Sequence, residues 1–327
     1  NKTQPIENFI PEAKLPSRHT LTYPTLEIEQ INKKMPSKTN EQALEAAIEK
    51  ALTGTCLEDL KLQGFDKSHV AEAATQYRAR NGYYLGVPQD FDAQYAIDTK
   101  RFWHFLENTQ AEEIDKIKAI NPQYELAIVQ RLDRMAKKYG ILRLLRKGLD
   151  VDNAHFELFY VPSLASSSQA VKENFERNEF SVTRQLRYST KNKLEEIDLV
   201  IFVNGLPIIT IELKNQWTGQ NVKNAIRQYQ NDRDPKEALF TFGRCMVHFA
   251  VDADLVYMTT HLRGTKTFFL PFNKGNDDGA GNPVNPKGLK TDYLWKDILS
   301  KESFSNIIEN YAQIVSEKDE DTGKIKR

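Results

Sequence analysis

The stretch EEIDLVIFVNGLPIITIELK, residues 195–214, decides the fold. It contains two apolar runs typical of strands, joined by Asn204-Gly205, a strong signal for a tight antiparallel turn. Side chains alternate between the two faces of a strand. Every second residue from Ile197 to Val203 is aliphatic, so one face of the first run is aliphatic. The same holds for the second run from Ile209 to Leu213. These aliphatic faces are predicted to pack against a core.

Ionisable groups lie at the other face of this hairpin. They are Asp198, Glu212 and Lys214. A strict two-residue turn would place Asp198 opposite Ile211 and send Glu212 to the wrong face. We therefore predict a three-residue or bulged turn beside Pro207, which cannot donate to a strand ladder. With that irregularity, the three ionisable groups converge.

This trio has a specific chemistry. Two carboxylates about one sheet spacing apart repel each other and are stabilised by a hard divalent cation such as Mg²⁺. Such a cation can hold a phosphate oxygen and activate water, while Lys214 orients the water or stabilises developing charge. The pattern predicts a hydrolase of phosphodiesters. The alternative is that Glu-x-Lys marks only solvated charges on an exposed strand face.

The rest of the chain predicts helices around a sheet. Helices are expected at 41–52, through most of 90–150, and at 221–230, 293–299 and 304–311. Further strands are expected at 155–162, 180–188, 245–250 and 255–259. The predicted fold class is α/β, with a mixed, twisted sheet flanked by helices, a helical insertion and a helical C-terminal tail.

Three segments are predicted along the chain. Residues 1–36 are rich in proline and read as an extended arm with one short strand at 19–28. Residues 37–272 form the main domain, including the insertion at about 90–150, and 273–327 form a loop and helical tail. The missing initiator Met and the charged ending EKDEDTGKIKR indicate a piece excised from a longer protein.

Composition excludes several classes of protein. The 327 residues include 45 Lys and Arg against 45 Asp and Glu, so the chain is not a bulk-cationic nucleic-acid binder. Its two cysteines are too few for a disulfide framework or a four-cysteine zinc site. No apolar run is long enough to cross a membrane and no secretory signal is present, so we expect a cytoplasmic protein.

Any surface that binds phosphate must then be local. Four cations precede Asp198 and are predicted to contact DNA phosphates, with a solvated strand end as the equally weighted alternative. They are Arg184, Arg187, Lys191 and Lys193.

The hairpin resembles the Asp…Glu-x-Lys core of the PD-(D/E)xK nuclease superfamily. The whole chain resembles the N-terminal endonuclease region of the restriction (R, HsdR) subunit of type I restriction-modification enzymes. Residues 195–215, AIRQYQ at 225–230 and EQALEAAI at 41–48 carry this resemblance. It is most specific over 155–260. The superfamily's proline before the aspartate is replaced here by Ile197.

The resemblance implies a restriction-endonuclease-like fold with a defined active site. Asp198 and Glu212 would be Mg²⁺ ligands and Lys214 the catalytic lysine. Glu45 on the first predicted helix would be a supporting metal ligand, directly or through water, with Glu41 as its substitute.

The helix after the site would contact DNA in such nucleases. Gln228 and Tyr229 are the candidates, although the family's strict Gln-x-x-x-Tyr spacing is absent. Tyr229 also lies on the apolar stripe of this helix, where a core position is the more usual outcome.

The resemblance also implies partners and a motor. The substrate would be double-stranded DNA, and the partners would be methyltransferase and specificity subunits. No Gly-x-x-x-x-Gly-Lys-Ser/Thr loop occurs, so ATP would be used only by a motor region outside this chain. Two alternatives stay open: a stand-alone, repair-type nuclease, and a catalytically silent docking module that joins the motor to the methyltransferase.

Overall fold

The structure, a computed structural model, describes residues 37–62, 82–162, 164, 167–215, 219–277, 279–315, 317–318 and 325–326. The predicted arm at 1–36, with its strand at 19–28, lies outside the described residues. The chain from Ser37 onward groups into one unit.

A seven-stranded mixed sheet organises this unit. In spatial order its strands are β1 (Tyr83–Leu85), β6 (Phe180–Arg187), β7 (Glu196–Val203), β8 (Leu206–Leu213), β9 (Val247–Val251), β10 (Val256–Thr259) and β11 (Leu270–Pro271). Three two-stranded ribbons pair β2 (Phe91–Asp92) with β3 (Ile97–Asp98), β4 (Leu149–Val151) with β5 (Ala154–Phe156), and β12 (Glu317–Lys318) with β13 (Ile325–Lys326). β1 runs parallel to β6 and β8 parallel to β9, whereas the other neighbours in the large sheet are antiparallel. The predicted mixed α/β fold is confirmed.

The β7–β8 turn has two residues, so the predicted three-residue alternative is wrong. Val203 pairs with Leu206, and Asn204 and Gly205 have φ angles of 51° and 77°. Glycine and asparagine adopt such angles most readily, which explains this dipeptide. The turn is also docked, because the Gly205 carbonyl accepts a 2.8 Å hydrogen bond from the Asp98 backbone N–H.

The predicted irregularity is a bulge inside β8. Ile201 pairs with Ile209, whereas the next pair along involves Pro207, and this shift leaves Ile208 as the extra residue. Ile208 and Ile209 therefore both enter the same apolar cluster. Beyond the bulge, Glu212 faces away from that cluster, as the sequence argument required.

Helices cover the aliphatic face of the sheet. Those that contribute buried side chains to its core cluster are α1 (Ser37–Thr53), α3 (Thr99–Thr109), α4 (Ala111–Lys118), α5 (Tyr124–Tyr139) and α6 (Ile141–Lys147). Two further helices, α2 (Leu57–Leu62) and α7 (Gln169–Glu176), were not predicted and contribute no residue to that cluster. The buried α1 residues Leu44, Ile48 and Leu52 follow a spacing of four and form an apolar stripe towards the core. Most helices of the 90–150 region share the α1 core cluster. They form a layer on the sheet, and the predicted domain limits stay predictions.

A further helix, α8 (Val222–Asn231), covers the opposite face. Asn221 caps its first turn by accepting from the Lys223 backbone N–H. Its buried stripe includes Ala225 and Tyr229 and packs with Phe202 of β7. Because both faces are covered, β7 and β8 are almost continuously apolar.

Ile197 departs from the predicted face. It belongs to the α8-side cluster, with its strand partner Leu186. Gln185, next to Leu186, has a left-handed φ of 49°. This local change of backbone direction in β6 explains why the pair switches sides.

The C-terminal part differs from the prediction in detail. The strand expected at 155–162 is limited to Ala154–Phe156. The irregular segment expected from 273 follows β11, and the expected closing helices are a π-helical turn at Leu294–Ile298, α9 (Lys301–Asn306) and a second π-helical turn at Ile307–Tyr311. Within the described ranges, no helix combines the length and apolarity that crossing a membrane would require.

Candidate functional site

The predicted catalytic residues meet where β7 begins and β8 ends. Asp198 is half-buried, and its Oδ2 accepts a 2.7 Å hydrogen bond from the Leu213 backbone N–H. Glu212 has 0% exposure and Lys214 has 7%. The bulged hairpin therefore brings an acid of β7 beside the end of β8, where the other two groups lie.

The charge of Asp198 affects the pKa values of several nearby carboxyl groups. Burial raises the pKa values of Glu41, Glu45 and Glu212, and the charge of Asp198 raises each further. The pKa of Glu45 is raised to about 7, and that of Glu212 lies well above its usual range. The charge of Lys214 lowers the pKa values of Glu41 and Glu212 but does not outweigh burial. Such crowding of acids favours the binding of a cation.

Arg233 holds the Glu212 carboxylate on one side. Its Nε donates to Glu212 Oε1 at 2.6 Å, and its Nη2 donates to the Glu196 backbone carbonyl at 2.9 Å. The other oxygen, Oε2, is buried and has no hydrogen-bond partner among the described residues. A buried acceptor without a partner costs about 1–3 kcal/mol. Glu212 therefore has one clamped oxygen and one available oxygen.

Lys214 reaches towards a different layer of the fold. Its Nζ lies 3.6 Å from Glu41 Oε1 on α1, whereas the Arg233 partner of Glu212 packs with Tyr188 of the α8-side cluster. The three groups thus converge across the end of the sheet.

This donor set fits a magnesium ion with few protein ligands. Among the described residues, no three His, Cys, Asp or Glu side chains are arranged to hold a metal. Mg²⁺ commonly takes one or two carboxylates and completes its shell with water and substrate phosphates. Asp198 and the unpartnered Oε2 of Glu212 meet that smaller requirement.

Arg184 does not belong to a DNA-binding surface. It is 5% exposed, and its guanidinium contacts three glutamates: Glu45 at 3.0 Å, Glu49 at 3.2 Å and Glu58 at 2.7 Å. The predicted phosphate contact is therefore contradicted, because the Arg184 guanidinium is buried and bound by these three carboxylates. Arg184 Nε donates to Glu45 Oε2, so one oxygen of Glu45 is already bound. The metal-supporting role of Glu45 stays a prediction.

The other three cations of the predicted patch are exposed. Arg187 lies 4.0 Å from Glu196, and Lys191 lies 3.0 Å from Asp234. Nearby acids thus reduce the positive charge that two of them present, and the contacts predicted for Arg187, Lys191 and Lys193 stay predictions.

The two residues of α8 that were predicted to contact DNA differ in burial. Tyr229 is buried, and its hydroxyl lies 2.8 Å from Thr210 Oγ1, which lies 2.7 Å from His248 Nδ1. Tyr229 is therefore a core residue, and its burial contradicts a direct DNA contact. Gln228 is half-buried, and its proposed DNA contact stays a prediction.

Sequence reasoning missed Arg233 and the role of Glu49. Arg233 lies 21 residues beyond its partner Glu212, in the segment DRDP that follows α8. Glu41, Glu45 and Glu49 lie four residues apart on α1, and no role was predicted for Glu49. A signal existed in that run, because Glu45 and Glu49 are next to the buried positions Leu44 and Ile48.

Comparison with known proteins gives one family and two relatives. The family model described as Type I restriction enzyme R protein N terminus matches residues 70–267, more than half of the chain. A Methanocaldococcus jannaschii protein provisionally named the type I restriction enzyme MjaIXP endonuclease subunit is 25% identical over 239 residues, which cover 66% of this chain and 19% of that protein. The provisionally named MjaVIIIP endonuclease subunit from the same organism is 28% identical over 145 residues, covering 42% of this chain and 12% of that protein. The chain thus corresponds to a small part of either relative.

Proposed function

The chain belongs to the family of type I restriction enzyme R protein N termini, and from this premise we propose that it is a Mg²⁺-dependent endonuclease for double-stranded DNA. It would be the cutting part of an R subunit that acts with methyltransferase and specificity subunits. ATP-driven translocation would belong to another region of that subunit. The matched relatives are much longer than the aligned part, which supports such a division.

The unpartnered oxygen of Glu212 beside Asp198 carries the proposal. Burial and the charge of Asp198 both oppose ionisation of Glu212. A divalent cation between these carboxylates would relieve both effects, and solvated surface charges would show neither. The alternative interpretation of Glu-x-Lys as an exposed pair is not supported, since Glu212 is fully buried.

Each residue then has a distinct task. Asp198 and Glu212 would hold Mg²⁺, which when bound offsets phosphate charge and lowers the pKa of a bound water. Arg233 keeps Glu212 Oε1 occupied, so Oε2 would be the oxygen available to hold the cation. Lys214 would contact the attacking water or a phosphate oxygen, with Glu41 holding its ammonium group in place.

The test is a Lys214→Met variant in the reconstituted restriction complex. We expect DNA cleavage to fall by about 10²-fold or more, because an oriented charge at the reacting phosphate is lost. ATP-driven translocation should be retained. The matched control is Lys223→Met, which removes an exposed lysine from α8. Thermal unfolding of both variants checks that the fold is intact.

Metal binding provides a second measurement. Titration of the chain with Mn²⁺ should give a binding signal that Asp198→Asn and Glu212→Gln each weaken and Lys223→Met does not. Unchanged cutting by a folded Lys214→Met variant would reject the nuclease assignment and favour the docking module. Cleavage by the chain alone, with Mg²⁺ and no ATP, would instead favour a stand-alone enzyme.

A further inference from the structure

Positive charge is concentrated on α5 and α6, two helices that contribute no residue to the candidate site. Residues 131–147 contain seven Lys or Arg and one acid, Asp133, within a chain of zero formal charge. The remaining residues therefore carry a net negative charge. Electrostatic attraction of a polyanion to this chain must depend on a local surface of this kind.

The cations of α5 and α6 meet around one aromatic ring. Arg131, Arg134 and Lys138 follow the spacing i, i+3, i+7 on α5, so they share a helix face. Tyr139 lies at the end of α5, with Lys138 Nζ at 4.9 Å and the Arg143 guanidinium of α6 at 4.7 Å from its ring centroid. The hydrogen bond and charge of Lys138, with the charges of Arg143 and Arg131, lower the pKa of Tyr139. The two helices thus form one continuous cationic surface.

The fold leaves this surface accessible. Arg134, Lys138 and Arg143 are exposed, whereas the opposite sides of α5 and α6 are buried in the main core. Arg131 and Tyr139 are half-buried, and Arg131 Nε donates to the Asp150 backbone carbonyl at 3.0 Å. Asp133, the acid of the segment, is engaged by Lys137 at 2.7 Å and by Arg244. Its charge is therefore already compensated from within the protein.

We infer that the surface formed by Arg131, Arg134, Lys138, Tyr139 and Arg143 binds the phosphate backbone of duplex DNA. Exposed arginines and lysines together with a tyrosine hydroxyl are the groups that contact DNA phosphates irrespective of sequence. The choice of DNA over an acidic protein rests on the proposed function. This surface would hold the duplex while the distinct carboxylate site acts on it.

The test is a triple variant, Arg134→Gln/Lys138→Gln/Arg143→Gln, in the full chain. Binding to a fluorescent 30-base-pair duplex is measured by anisotropy in EDTA from 50 to 300 mM salt. Three lost phosphate contacts should reduce the slope of log K against log salt by about 2.7, and the affinity on the order of 10²-fold at 0.1 M salt. The matched control, Lys100→Gln/Lys266→Gln/Lys287→Gln, removes three exposed lysines elsewhere and should bind like the unsubstituted chain.

A charge-preserving variant separates charge from folding. Arg134→Lys/Lys138→Arg/Arg143→Lys should keep the salt slope. An unchanged slope for the glutamine variant, or no salt-dependent binding by the unsubstituted chain, would overturn the inference. A glutamine variant that binds DNA normally but no longer binds a partner subunit would also overturn the inference. Because EDTA prevents cleavage, Lys214→Met should bind normally even if the proposed function fails.

Discussion

Replacing Glu49 with glutamine should make stability less dependent on pH. Glu49 is 0% exposed; its Oε2 accepts from the Leu57 backbone N–H at 3.0 Å and from Arg184 at 3.2 Å, while Oε1 has no partner among the described residues. Burial raises the pKa of Glu49 from 4.5 to about 7, against the opposing charge of Arg184. The acid therefore prefers to keep its proton in the folded state.

The sign follows from proton linkage. A raised pKa stabilises the folded state below pH 4.5, and this contribution is lost as pH rises to about 7. Between pH 5 and pH 9 the loss amounts to about 2.5 kcal/mol, at 1.36 kcal/mol for each pKa unit. Glutamine does not titrate, so Glu49→Gln should gain about 2.5 kcal/mol of unfolding free energy relative to wild type over this range.

The assay is urea unfolding of both proteins at several pH values from 5 to 9. The matched control is Glu58→Gln, which also removes a carboxylate bound to Arg184. Although burial raises the pKa of Glu58, the hydrogen bond and charge of Arg184 outweigh it, and the net shift is downward. Its difference from wild type should stay nearly constant above pH 5. A Glu49→Gln difference that is equally flat would refute the reasoning.

Other predictions concern the turn and the buried histidine. Gly205→Ala should cost about 3 kcal/mol or more, because strain at positive φ adds to a new Cβ placed 2.6 Å from the Asp98 carbonyl oxygen and 2.5 Å from the Phe102 backbone nitrogen. Gly219→Ala, at a φ of 75° with open space around its Cβ, should cost only about 1–2 kcal/mol, and equal losses in thermal unfolding would contradict the docked turn. Burial lowers the pKa of His248 from 6.5 to about 3, so wild type should lose about 2 kcal/mol more than His248→Gln between pH 7 and pH 5. Parallel stability curves for these two proteins would argue against a neutral buried imidazole.

Local patterns predicted the hairpin because its information is local. Alternation, the Asn-Gly dipeptide and the position of Pro207 required one extra residue in the hairpin. The sequence left open whether that residue lengthens the loop or forms a bulge inside the strand. The prediction that Asp198 and Glu212 lie close together rests on the same local pattern. The tertiary pairing of charges was less accessible: Arg184 reads as part of a basic cluster, yet its partner Glu45 lies 139 residues away. The sequence shows where charged residues lie along the chain, whereas the fold decides which of them are exposed to solvent.

The extra residue in β8 makes strand length a determinant of chemistry. Deleting Ile208 would leave a perfectly regular ribbon with the same turn, and Glu212 would keep its present register because every strand pair beyond the bulge is retained. Loss of the bulge without that deletion would instead place Ile211 opposite Asp198 and turn Glu212 to the other face. The acid therefore stays in place only when the number of residues between the turn and Glu212 matches the presence or absence of the bulge.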